Sequence, residues 1–103
     1  MDELLVIDPY DADGTRFIRV AGEIDAASAP LLAEALEQCI GLAACVDLAN
    51  VTFMDSSGLA VLIAAHNRAL ARAVECRIAN AAPNLERVFQ ITGLDCVLLL
   101  VPT

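Results

Sequence analysis

The sequence has no tryptophan and few other aromatics, with one tyrosine and three phenylalanines among 103 residues. Aliphatic side chains must therefore fill its interior. They are plentiful: 58% of the residues are hydrophobic, mostly Ala, Leu, Val and Ile. Basic residues are also scarce, six against fourteen acidic ones, for a formal net charge of −8. Gripping nucleic acid by its phosphates needs a basic surface, so no nucleic-acid partner is expected. An anionic membrane surface would repel the chain. An acidic surface favours protein partners that carry basic patches. Long apolar runs are missing too. The longest, Leu59 to Ala65 and Cys96 to Val101, are far too short to span a bilayer. The opening Met-Asp-Glu lacks the basic region of a secretory signal. Residues 1–103 are thus expected to be one soluble domain, with no membrane association and a cytoplasmic location.

The four cysteines, Cys39, Cys45, Cys76 and Cys96, form no Cys-x-x-Cys pair, and His66 is the single histidine. No zinc site is expected at that spacing. Each cysteine has apolar neighbours and reads as a buried small hydrophobe. A redox role would fall first on Cys76 and Cys96, each expected to start a late strand.

What is present is an alternation of strand and helix patterns. Leu4 to Asp8 reads as a short strand, and Asp8 to Gly14 is rich in turn formers. Arg16 to Ala21 alternates polar and apolar residues, which suggests an antiparallel pair at a sheet edge. Gly22 to Asp25 reads as a loop, with Ser28 as the N-cap of a helix and Pro30 in its first turn. Leu32, Ala35, Leu36, Cys39 and Ile40 share one face of that helix, and Gly41 ends it. Ala44 to Ala49 reads as a central strand, in which Asp47 needs a partner. A second helix is expected from Ser57 to Arg72, with Leu59, Leu62, Ile63, His66 and Leu70 on one stripe. Val74 to Ala79 is another strand. Pro83 begins a short helix with Leu85, Val88 and Phe89 inward, and Gly93 stops it. Cys96 to Val101 is the last strand. Short right-handed crossovers then imply a small α/β fold with a mixed, mostly parallel sheet and helices packed on it.

Chemistry concentrates at Asp55-Ser56-Ser57-Gly58, where a strand hands over to a helix N-terminus. Unpaired N–H groups and the helix dipole make such a turn locally positive. A serine hydrolase does not fit. His66 lies ten residues beyond Ser56, about 15 Å along a helix axis, and no other base exists. A bound nucleotide fits poorly, since the turn has one glycine, no lysine and an adjacent Asp55. Two compatible readings remain. Ser56 or Ser57 caps the helix, worth about 1 kcal/mol. A partner kinase could also phosphorylate the turn and add about −1.5 to −2 charge.

The run Asp47-Leu48-Ala49-Asn50-Val51-Thr52-Phe53-Met54-Asp55-Ser56-Ser57-Gly58-Leu59 closely resembles the signature of bacterial anti-sigma-factor antagonists, the STAS-domain family. Gly22-Glu23-Ile24-Asp25 resembles that family's other characteristic loop. Pro83 to Leu94 resembles its late helix and glycine stop. Together they cover nearly the whole chain, in the right order.

The resemblance implies a non-enzymatic partner switch. Its unphosphorylated form binds an anti-sigma factor that is also a serine kinase, and the sigma factor is freed. The kinase uses ATP to phosphorylate the antagonist, and a serine phosphatase reverses this. The antagonist itself has no cofactor, no metal and no catalytic residue. Carried over by position, Ser56 is the phosphorylated residue. Glu23, Asp25, Met54, Asp55, Ser57 and Gly58 complete the partner surface, with Gly58 allowing close backbone approach.

One departure is Ala73-Val74, where many members carry glycine. The alternative from the same family is a docking subunit of a lipid or solute transporter, which needs no kinase cycle. A redox-tuned version of the switch is a third reading. An exposed sheet edge is compatible with a monomer or a weak dimer.

Overall fold

The computed structural model describes residues 5–39 and 41–101. Two antiparallel strands, β1 (Val6–Ala12) and β2 (Thr15–Ile24), open the chain. They are followed by α1 (Ala29–Glu37), β3 (Ala43–Met54), α2 (Ser56–Ala71), β4 (Cys76–Ala79), α3 (Pro83–Thr92), a 3₁₀ turn at Leu94–Cys96 and β5 (Leu99–Val101). The sheet runs β1-β2-β3-β4-β5, and every pair after the first is parallel. The expected α/β fold with a mixed, mostly parallel sheet is therefore present.

Consecutive parallel neighbours joined by right-handed crossovers put all three helices on one face of the sheet. The packing agrees with this. Ile18, Val20, Val46, Leu48 and Ile78 from the strands join Leu32, Leu36, Leu62, Leu85 and Phe89 from the helices in one buried cluster. No helix among the described residues is long and apolar enough to cross a membrane.

Several boundaries differ from expectation. The first strand does not stop at Asp8 but runs through Pro9 to Ala12. Proline is tolerated because β1 is an edge strand. The turn shrinks to Asp13-Gly14, both at positive φ (52° and 78°), as a tight two-residue hairpin requires. Leu4 lies outside the described residues. Gly22 to Ile24 is not loop but the end of β2, paired with the end of β3. β3 is twice as long as expected because it continues past Ala49 to Met54. Two register irregularities against β2 shift its inward positions from Val46 and Leu48 to Val51 and Met54. Such bulges break the period-two pattern on which strand recognition depends.

α1 ends at Glu37, and Gly41 (φ 74°) falls in the following turn rather than at the helix end. Ile40 is outside the described residues. In α2 the inward stripe is Gly58, Leu62, Ala65 and Ala69, while Leu70 is 64% exposed. Glycine and alanine let this helix sit close to its neighbours, and the larger Leu59, Ile63 and His66 lie half-buried on the flank.

β4 begins at Cys76 rather than Val74, because Ala73 and Val74 form the exit of α2. The Val74 N–H donates to the Ala69 carbonyl at 3.0 Å and the Ala73 N–H to that of Leu70 at 3.2 Å. This double bond pattern needs a left-handed residue between them, and Ala73 supplies it at φ 57°. In α3, Leu85 and Phe89 are buried, and Gly93 (φ 76°) ends the helix as expected. β5 is shorter than expected, since Leu94–Cys96 coil into the 3₁₀ turn.

Candidate functional site

The C-terminal ends of β2 and β3 lie side by side, with Glu23 opposite Phe53 and Ile24 opposite Met54. The Asp55 N–H donates to the Ile24 carbonyl at 3.1 Å and ties the loop after β2 to the turn after β3. Two of the three segments that carry the family resemblance thus meet at one edge of the molecule.

Asp55 is extended (φ −101°, ψ −170°) and caps α2. Its Oδ1 accepts the Ser57 N–H at 2.8 Å. Its carbonyl accepts the N–H groups of Gly58 at 3.1 Å and Leu59 at 3.2 Å. The cap is therefore Asp55, not Ser56 or Ser57. A carboxylate is a strong acceptor next to the positive end of a helix. Ser56 is the first helical residue and is exposed, and its hydroxyl has no hydrogen-bond partner among the described residues.

Gly58 is buried against the strand ends. A Cβ there would stand 2.5 Å from Met54 Cγ and 2.8 Å from Ile24 Cγ2, so only glycine fits without displacement. Gly58 is thus not on the surface where a partner was expected to approach; its tight contact is internal, against the side chains of Met54 and Ile24. Met54 itself is only 5% exposed and supports the turn from below.

The loop after β2 is built on Asp25 and Ser28. Asp25 Oδ1 accepts the N–H groups of Ala27 and Ser28, both at 3.0 Å. Ser28 occupies the N-cap position of α1, but its hydroxyl turns away from the helix. Its Oγ accepts the Asp25 N–H at 2.9 Å and lies 2.8 Å from the Glu23 carbonyl. The Ser28 backbone N–H, aided by the Ser28 hydroxyl, holds the Asp25 carboxyl below the usual carboxylate value. Asp25 is therefore a fixed negative charge at neutral pH.

Of the remaining site residues, Glu23 is exposed, and Asp25, Asp55 and Ser57 are half-buried. Phe53, opposite Glu23, is 47% exposed and was not expected at the site. The irregularities in β3 hide its outward orientation, and the only available signal was an aromatic three residues before Ser56.

Asp47, the acid inside β3, has its partners: its Oδ1 accepts the Ala49 N–H at 2.9 Å and the Asn80 side-chain amide at 3.0 Å. His66 is half-buried on α2, far along the helix from Ser56. Among the described residues no three His, Cys, Asp or Glu side chains gather to hold a metal.

The cysteines divide differently from expectation. Cys76 starts β4 and is buried, and burial pushes its thiol up to about 11. Cys96 does not start a strand but lies exposed in the 3₁₀ turn. Cys39 and Cys45 are half-buried, with burial raising both thiols.

The STAS domain profile matches residues 7–103. The anti-sigma-B factor antagonist of Listeria monocytogenes is 40% identical over 84 residues, 79% of this chain and 74% of its own length. The anti-sigma-B factor antagonist of Bacillus subtilis is 36% identical over 85 residues, 79% of this chain and 76% of its own. The crystal structure of an anti-sigma factor antagonist from Mycobacterium paratuberculosis superposes with a TM-score of 0.87 at 31% identity. That match covers 96% of this chain and 86% of the other.

Proposed function

The chain belongs to the STAS-domain family, and on that premise we propose that it is an anti-sigma-factor antagonist switched by phosphorylation at Ser56. The observation that carries this reading is the division of labour in the turn. Asp55 does the capping, so the exposed Ser56 hydroxyl is free for a kinase. The names of the Listeria and Bacillus relatives support the antagonist role.

In this reading the unphosphorylated chain presents Glu23, Asp25, Phe53, Asp55, Ser56 and Ser57 to an anti-sigma factor. Gly58 and Met54 set the shape of the turn from beneath. The partner is itself a serine kinase and brings the ATP. A phosphate next to Asp55 and near the Asp25 loop raises the negative charge of a surface that had been complementary. The helix start tolerates an anion, so the fold survives while the complex does not. A serine phosphatase restores the binding form. The chain carries out no chemistry itself.

The test is incubation of the pure chain with ATP and candidate anti-sigma kinases, followed by intact mass and site mapping. One phosphate, mapped to Ser56, is expected. Ser56→Ala should take no phosphate and keep partner binding. Ser56→Glu should weaken binding with unchanged circular dichroism. Absence of phosphate with every active kinase would overturn the switch and leave a docking role.

A further inference from the structure

The ladder between β2 and β3 reverses two side chains just before the Ser56 turn. Val51 is buried and pairs with Gly22, so strict alternation along β3 would turn Phe53 inward and Met54 outward. The register skips Thr52 instead, and Glu23 pairs with Phe53. Met54 is thereby buried against Gly58, and Phe53 is left 47% exposed beside Glu23. Bulges next to functional sites commonly re-aim a side chain in this way. Of the large exposed apolar side chains among the described residues, Phe53 alone lies within three residues of Ser56.

We infer that Phe53 is the anchor of the partner interface, entering an apolar pocket of the anti-sigma factor whose rim carries basic side chains. The inference rests on the antagonist reading above and adds the chemistry of the surface that the partner must offer. An aromatic ring brings a large apolar area on a stiff side chain. A few such residues, ringed by polar contacts that exclude water, carry most of the energy of many interfaces. Here the ring around Phe53 and the turn is Glu23, Asp25 and Asp55.

Charge sets the rim. The basic residues are all arginines: Arg16, Arg19, Arg68, Arg72, Arg77 and Arg87. None falls in the loop after β2 or in the stretch from Leu48 to Asn67. Arg16 and Arg77 stand at the starts of β2 and β4, and Arg68 and Arg72 at the far end of α2. The loop and the turn around Ser56 therefore carry charge of one sign, and Asp25 is held ionised there by Ser28. A basic rim is complementary to this ring and steers the partner's pocket onto Phe53.

Calorimetry of the pure chain with each candidate anti-sigma kinase tests it, with ADP present so that no phosphoryl group is available. Phe53→Ala should weaken the complex by about tenfold or more, with circular dichroism and the urea midpoint unchanged. With ATP, it should raise the kinase's KM for the chain and leave kcat nearly as it was. Ile91→Ala removes a still more exposed apolar side chain from α3 and should leave the affinity unchanged. Salt should weaken the native complex, and Glu23→Gln should lessen that dependence. If Phe53→Ala binds as tightly as the native chain, or if Ile91→Ala loses as much, the anchor is overturned and the Ser56 switch stands. Salt-independent binding would overturn the basic rim. A complex that Phe53→Ala weakens, but in which Ser56 takes no phosphate, would support the anchor and overturn the switch. Failure of the native chain to bind any candidate would overturn both.

Discussion

At its N-terminus α2 starts on an aspartate in relaxed extended geometry, with its carboxylate on the Ser57 N–H and its carbonyl holding the next two amides. At its C-terminus the same helix closes through Ala73, a residue with a Cβ held at φ 57°. A left-handed alanine costs about 1 kcal/mol relative to glycine. Backbone strain is often sought at functional sites. Here the candidate site is the locally consistent end, and the strain lies at the opposite pole of the helix. The turn that carries Ser56 is fixed by good hydrogen bonds and tight packing, and the far end absorbs the less suitable residue.

The contrast can be broken most severely at Gly58. Gly58→Val should destabilise the fold by about 3 kcal/mol, because Met54 and the stiff Ile24 side chain cannot both move aside. Urea denaturation would measure it, and loss of partner binding should accompany it. Asp55→Ala removes the cap and should cost about 1 kcal/mol in the same assay. Asp55→Asn should recover most of that loss.

Ala73→Gly acts in the opposite direction. It should stabilise by about 0.5–1 kcal/mol, since relief of the left-handed strain outweighs the added freedom of the unfolded chain. Partner binding should not change. An equal or destabilising effect would mean that the far end carries no strain.

The smallest effect concerns Asp25, whose folded pKa is depressed by the Ser28 N–H. Ionised Asp25 therefore favours the folded state at and above the ordinary carboxylate range. That contribution disappears as the pH falls through its lower folded value. Thermal melts from pH 7 downward should show a flatter acid limb for Asp25→Asn than for the native chain.

Much of this was legible in the residues. The element order, the antiparallel opening, the Gly93 stop and the strand-to-helix turn all follow from local pattern and turn chemistry. The residues after Ala49 were harder, because irregular pairing with β2 breaks the alternation. That is why Phe53 was missed. The inward stripe of α2 was misplaced for another reason. Hydropathy ranks Leu70 above Ala65 and Ala69, but close helix packing selects for size. Ser56 stands exposed at the strand-to-helix turn, and its relation to the cap was hidden. Asp55, Ser56 and Ser57 are all good capping residues, and only the backbone angles decide which one does it.

Asp55 already fills the anion socket of α2. In the proposed switch, a phosphate on the neighbouring hydroxyl does not take over the Ser57, Gly58 and Leu59 amides, which Asp55 already holds. A mark proposed there would sit on an exposed residue of a helix whose cap is made by Asp55 alone. In that proposed cycle, writing and erasing would meet the same surface.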